Sequence, residues 1–206
     1  MRRIDCSEVR EAVKAELVRI NREIGPDVLS ALEAGLAAEE SPVGRAVLDQ
    51  LIENDRLAAR EGRAICQDTG MVVAFVTLGQ EVHLTGGSFR EAVDEAVRGA
   101  YRDARLRNSV VRDPLFDRSN TGDNTPAVVH LDLVPGDGLS IDLMAKGFGS
   151  ENMSALAMLN PADGEAGVRR LVVDTVRRAG PNPCPPVIVG VGLGGTFERA
   201  ALLSKK

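Results

Sequence analysis

The chain has 206 residues, 44% of them hydrophobic and 27% charged, which suits a soluble globular protein of one large or two small domains. Its net charge of −5, the absence of Trp and a single Tyr exclude the basic footprint and stacking surface of a nucleic-acid binder. No apolar stretch is long enough to span a membrane, and the charged segment from Met1 to Ile24 lacks the apolar core of a signal peptide. Three scattered cysteines (Cys6, Cys66 and Cys184) do not make a secreted disulfide framework, so a reducing cytoplasm is the expected setting.

Asp5 starts a first helix, with Glu8 placed for a capping box. Val9, Val13, Leu17, Ile20 and Ile24 repeat at helical spacing, and Gly25-Pro26 ends the run. Pro26 opens a second helix with the stripe Val28, Leu29, Leu32 and Leu36. Ser41-Pro42 opens a third, with Val43, Val47, Leu51 and Ile52 inward. Cys6, with no polar cluster around it, reads as structural or merely exposed.

The character changes at Arg63. Met71 to Leu78 is short, apolar and β-branched, the pattern of a buried strand, and Gly79-Gln80 is placed to turn it into Glu81 to Thr85. Ser88 and Glu91 cap a helix from Phe89 to about Leu106. Its arginines, Arg98, Arg102 and Arg105, with Arg107 just after it, suit the negative end of the helix dipole and read mostly as solvated surface. Asp117 to Pro126 is a polar loop in which turn chemistry and binding are both served by the same residues. Ala127 to Val134, the turn Pro135 to Gly138 and Leu139 to Ala145 read as a hairpin, with His130 opposite Val129, Leu131 and Leu133. Asp163 to Ala179 is an amphipathic helix, with Val168, Leu171, Val172, Thr175 and Val176 inward. Val187 to Val191 reads as a buried strand. Gly190 to Gly195 formally matches G-x-G-x-x-G before a helix at Thr196, but the acidic residue of a following strand is missing.

The chemistry-bearing stretches are three. Cys66-Gln67-Asp68-Thr69-Gly70 puts a soft metal ligand and a proton acceptor within three residues, although a buried cysteine beside a turn has the same sequence. Lys146-Gly147-Phe148-Gly149-Ser150-Glu151-Asn152 reads either as a backbone nest for an anion with a cation beside it, or as a glycine-rich turn. Cys184 lies in Pro183-Cys184-Pro185-Pro186, where prolines fix the backbone on both sides, as suits a thiolate held toward a ligand.

With Leu106-Arg107-Asn108-Ser109 and Asn120 to Ala127, these segments in this order resemble the α subunit, or N-terminal region, of the class I, iron–sulfur-dependent fumarate hydratases and the related L-tartrate dehydratases. The resemblance covers nearly the whole chain from Arg63 onward. It implies a lyase of the tricarboxylic acid cycle type carrying a [4Fe-4S] cluster on three cysteines, with Cys66 and Cys184 at two of the ligand positions and the third outside these residues. It implies that Gln67, Asp68, Arg107, Lys146, Gly147, Gly149, Ser150 and Asn152 contact substrate. Asp68 is the candidate catalytic group, for proton transfer or for binding the hydroxyl. Arg107 suits a bidentate carboxylate contact that lysine cannot make. Phe148 stands where the family commonly has a small residue. A β subunit or C-terminal domain is the implied partner, in an α2β2-type or homo-oligomeric assembly.

The expected fold is α+β, a helical layer over residues 1–62 followed by a mixed sheet with packed helices over residues 63–206. The lack of a stop signal in Thr196 to Lys206 leads us to expect one catalytic domain, 1–206, cut short at its C-terminus. The expected activity is reversible hydration of fumarate to L-malate, dependent on the partner and the third ligand. The competing expectations are an L-tartrate dehydratase subunit, an anion- or nucleotide-binding module using Gly190 to Gly195, and a clusterless assembly subunit.

Overall fold

A computed structural model describes residues 1–206. The fold is α+β, and its residue contacts group into two units, Met1–Lys146 and Gly147–Lys206.

The first unit opens with a strand that the sequence reading did not contain, β1 (Arg2–Asp5). Three of its four residues are charged, and only Ile4 is buried, so it carries no apolar pattern. The Asp5 side chain accepts from Ser7 N at 2.9 Å and caps α1 (Cys6–Ile20), which buries Cys6, Val9, Val13 and Leu17. The helix stops short of Ile24. Asn21 takes the C-cap position, and its buried side chain donates to Leu17 O at 2.8 Å, satisfying a carbonyl of the last turn. The proline-led helices α2 (Pro26–Ala38) and α3 (Pro42–Glu61) follow, the latter capped by Ser41 and closed by Gly62 at φ +66. Of the stripe predicted to face inward on α3, Ile52 is buried, whereas Val43 is 74% and Val47 46% exposed. α3 packs against α2, which buries none of its own residues.

The main sheet corrects the predicted hairpin. Strands β2 (Met71–Gly79), β4 (Val128–Val134) and β5 (Leu139–Lys146) run in the order β4-β2-β5. β2 is parallel to β4 and antiparallel to β5, so the two strands joined by the tight turn flank β2 instead of pairing. The Pro135 to Gly138 turn straddles the end of β2, with Gly79 N donating to Gly138 O (2.8 Å) and Glu81 N to Gly136 O (2.9 Å). A Cβ on Gly79 would collide with Gly136 O, which makes glycine necessary there. The physical reason for this order is burial. Val72, Ala74 and Val76 on one face of β2 and Val73 and Phe75 on the other are all buried, which suits a central strand. β4 and β5 alternate and take the edges. Nor does Gly79-Gln80 make a hairpin: β3 (Val82–Thr85) pairs in parallel with β1 in a separate two-stranded sheet.

Helix α4 (Phe89–Asp103) is capped by Ser88, whose hydroxyl accepts from Glu91 N. It ends three residues before the predicted Leu106, and Arg105, at φ +55, turns the chain away. Leu17, Val72, Val93, Val97 and Tyr101 form the centre of the core between α1, α4 and the sheet, with Val129, Ile141 and Leu143 packed beside them. His130 stacks on Phe75 with ring centroids 5.1 Å apart, a structural role.

The second unit contains the single-turn helix α5 (Phe148–Glu151), a 3-10 turn (Pro161–Asp163), α6 (Gly164–Ala179) and α7 (Phe197–Lys205). On α6, Val168, Leu171, Val172 and Thr175 are half-buried, while Val176 is exposed. The predicted strand at Val187 to Val191 is not formed: the segment has no ladder partner, and Ile188 is 86% exposed. A Cβ on Gly190 or Gly192 would strike Ser204 O or Ala200 O, so these glycines let the backbone lie against α7. No helix is long and apolar enough to cross a membrane.

Candidate active site

The stretch from Ile65 to Gly70 joins α3 to β2. Both backbone groups of Ile65 are held, N–H by Asn21 O (2.9 Å) and C=O by Asn54 Nδ2 (3.0 Å). From that anchor Cys66 and Gln67 are exposed, Asp68 is half-buried, and Thr69 and Gly70 are buried. The Asp68 N–H donates to Cys66 Sγ (3.4 Å), and the thiol donates to Gln67 Oε1 (3.3 Å). Asp68 Oδ1 accepts from Gly70 N at 3.1 Å, and Gly70 turns at φ +65.

Arg107 is brought to this loop by its backbone. The Thr69 hydroxyl donates to Arg107 O (3.0 Å) and accepts from Arg107 N (2.9 Å), leaving the guanidinium-bearing side chain exposed. Lys146 arrives by strand register. It pairs with Met71, the residue after Gly70, at the same end of the sheet. The segments that carry Cys66 to Asp68, Arg107 and Lys146 therefore adjoin at one edge of the first unit. The buried cysteine, Cys6, is elsewhere. Its thiol donates to Gly87 O at 3.4 Å, and burial, with the Asp5 charge, pushes its pKa up, so it is structural.

The Lys146 to Asn152 stretch does not form a nest. Gly147 is extended, at φ −65, and the next residues make the one turn of α5, with Ser150 Oγ donating to Gly147 O (3.2 Å). Ser150 and Asn152 are exposed. Gly149 lies tight against the Asn182 carbonyl, where a Cβ would sit 2.9 Å away. Asn182 is two residues before Cys184, so α5 and the cysteine turn are neighbours within the second unit. Cys184 is exposed and held at φ +58, its N–H donating to Pro181 O at 3.1 Å. A left-handed conformation costs a non-glycine residue about 1–2 kcal/mol, a strain that collects at functional positions.

Sequence reasoning missed the residues that hold the first unit's edge together. Asn124, fully buried at φ +61, accepts from Ser109 N (2.6 Å) and Val110 N (3.3 Å) and donates to Gly70 O (3.0 Å). The Tyr101 hydroxyl donates to Thr69 O at 2.6 Å. Burial raises its pKa to about 12, helped by the Asp68 charge and opposed by side-chain hydrogen bonding with Thr69 and Asn124. Asp94 Oδ1 accepts from Ala127 N at 2.8 Å. Arg98, read as solvated surface, bridges Glu91 and Asp123 at 2.9 Å each. Burial works to raise the Asp123 pKa, but the bonds from Thr125 and Arg98 outweigh it and hold the carboxyl below its usual range. The available signal was an asparagine in a turn-rich loop, a residue that tolerates the left-handed region.

The profile of the fumarate hydratase (Fumerase) family matches residues 10–206. The chain belongs to that family. Among its relatives, "Putative L(+)-tartrate dehydratase subunit alpha" of Methanocaldococcus jannaschii is 36% identical over 184 residues, which is 87% of this chain and 65% of that protein. "L(+)-tartrate dehydratase subunit alpha" of Escherichia coli strain UTI89 is 33% identical over 204 residues, 97% of this chain and 66% of the relative. The chain thus spans just under two thirds of the length of these family members.

The family implies an iron–sulfur cluster, and the two exposed thiols suit one in chemistry: Cys66 accepts an N–H at sulfur and Cys184 is fixed in a strained turn. No group of three or more His, Cys, Asp or Glu side chains is placed to hold a metal ion.

Proposed function

We propose that this chain is the α-type part of a hydro-lyase that adds water reversibly to fumarate, giving L-malate. A [4Fe-4S] cluster, to which the chain would offer the Cys66 and Cys184 thiolates and a partner or further segment the third, would supply a Lewis acid for a substrate carboxylate and hydroxyl. The chain's own residues do the rest. Arg107 takes a carboxylate through two parallel N–H donors, and Lys146 adds a second positive charge at the same edge. Asp68 holds or moves a proton at the carbon next to that carboxylate, or binds the hydroxyl, with Gln67 beside it. Gly147, Gly149, Ser150 and Asn152 would add substrate contacts, and a β-type partner the rest of the pocket.

The observation that supports this reading is that Thr69 and the Met71–Lys146 register bring the segments carrying Cys66 to Asp68, Arg107 and Lys146 to one end of the sheet. A second reading, dehydration of L-tartrate, is favoured by the names of the relatives. Both substrates are four-carbon dicarboxylates that need the same clamps.

The test is anaerobic iron–sulfide reconstitution of the α region with its β-type partner, assayed on fumarate, L-malate and L-tartrate. Broad visible absorbance and turnover of one substrate pair are expected. Cys66→Ser and Cys184→Ser should each lose both, and full activity in either variant would sink the proposal. Selective turnover of L-tartrate would replace the first reading with the second.

A further inference from the structure

We infer that Thr69 is a positioning residue that sets Arg107 against the Cys66–Asp68 loop, fixing the separation between the carboxylate clamp and the proton-transfer group. Its catalytic consequence rests on the hydro-lyase reading above.

Arg107 lies in an irregular segment, so its backbone N–H and C=O have no ladder partners. One side chain satisfies both: the Thr69 hydroxyl uses its single proton on Arg107 O and a lone pair on Arg107 N–H. Thr69 is 4% exposed, and its own carbonyl is held by the Tyr101 hydroxyl, which stands on the well-packed helix α4. The loop is thus fastened to a rigid element and Arg107 is fastened to the loop. A second tie runs beside the first, from Gly70 O through Asn124 to the N–H groups of Ser109 and Val110. Sliding the Arg107 segment past the Asp68 loop must break both ties.

Thr69 and Arg107 are 38 residues apart in sequence, and the bond between them is adjacent to both working side chains: Thr69 follows Asp68 directly. Of the two ties, the one that bonds Arg107 itself passes through this hydroxyl. Displacement of a positioned group by about 1 Å costs on the order of 100-fold in rate.

Two variants separate positioning from bulk stability. Thr69→Val keeps the shape and deletes the hydroxyl, whereas Thr69→Ser keeps the hydroxyl and deletes the methyl. In the full chain without cluster, amide hydrogen exchange reads the tie directly. In Thr69→Val the Arg107 N–H should exchange about two- to tenfold faster, as expected for a lost net hydrogen bond, while Ser109 and Val110 stay protected by Asn124. Thr69→Ser should behave as wild type. An unchanged Arg107 amide, or equal acceleration at all three amides, would overturn the inference.

In the assembled enzyme, with rates normalised to cluster content by iron and visible absorbance, Thr69→Val should lower kcat about 100-fold, with Thr69→Ser close to wild type. Adding Thr69→Val to Arg107→Lys should cost much less than it does alone, because the two residues act as a unit. A wild-type kcat per loaded site in Thr69→Val overturns the positioning role. If the wild-type assembly turns over neither fumarate nor L-tartrate, the hydro-lyase reading fails instead, and the exchange measurement still decides whether Thr69 holds Arg107.

Discussion

Asn124→Ala is the substitution that probes the buried framework most directly. Asn124 is wholly inaccessible to solvent and makes three hydrogen bonds to backbone groups, accepting from Ser109 N and Val110 N and donating to Gly70 O. Alanine leaves these partners without it. At about 1 kcal/mol net for each bond, with the longer Val110 contact at the low end, the loss is about 2–3 kcal/mol. Asn124 also sits at φ +61, where alanine pays about 1 kcal/mol more than asparagine, whose short polar side chain visits that region readily. The sum is about 3–4 kcal/mol, a large fraction of the roughly 5–15 kcal/mol that holds a typical domain. Urea unfolding of the full chain, analysed by linear extrapolation, measures it. Asn124→Gly is the control: it loses the same bonds without the backbone penalty and should be about 1 kcal/mol less damaging than alanine. A loss below about 1 kcal/mol in Asn124→Ala would show that the three bonds do not stabilise the loop as argued.

Two further outcomes follow from the same geometry. Tyr101, with its pKa raised to about 12 from 10, favours the folded state while it is protonated; that stability is intact below pH 10 and is lost as pH rises from 10 to 12, by roughly 3 kcal/mol in all. Tyr101→Phe should remove this slope from the pH dependence of unfolding, and a slope that persists would contradict the assignment. Alkylation of the full chain by iodoacetamide, followed by peptide mapping, should label exposed Cys66 and Cys184 first and buried Cys6 only on unfolding; early labelling of Cys6 would contradict its placement.

The helices were legible because their signals are local. Asp5, Ser41 and Ser88 cap within three residues of themselves, and Pro26 and Pro42 stand at the first helical positions. The early end of α1 was not legible, because Asn21 folding its side chain back on Leu17 O looks in sequence like any surface asparagine. The strands were found but not their partners. The Pro135 to Gly138 turn is a sound hairpin signal, yet the run from Val72 to Val76 is apolar on both faces and gains more by lying between β4 and β5 than they gain by pairing. At Val187 to Val191 strand-like residues lack any ladder partner, and composition alone cannot supply one.

The site was half legible for a related reason. Residues that would face substrate announce themselves by type: a thiol, a carboxylate and a guanidinium in short motifs. The residues that place them do not. Thr69 reaches across 38 positions to Arg107, Asn124 across 54 to Gly70 and Tyr101 across 32 to Thr69, and each bonds to backbone, which leaves no complementary side chain to notice. That choice of partner has a physical cause. The segments carrying Cys66 and Arg107 are irregular, so their N–H and C=O groups must be satisfied by something other than a ladder before they can be buried. Side chains that satisfy backbone also fix it, and the irregularity that exposes the working groups is what calls for the brace. Met71 is where this meets the sheet. It follows the braced loop, begins the central strand and pairs with Lys146, so the order β4-β2-β5 itself delivers a cation to the edge where Asp68 and Arg107 are held. Had β4 and β5 formed the hairpin that their turn suggests, this register would not exist, and Lys146 would have no reason to stand beside the Cys66 loop.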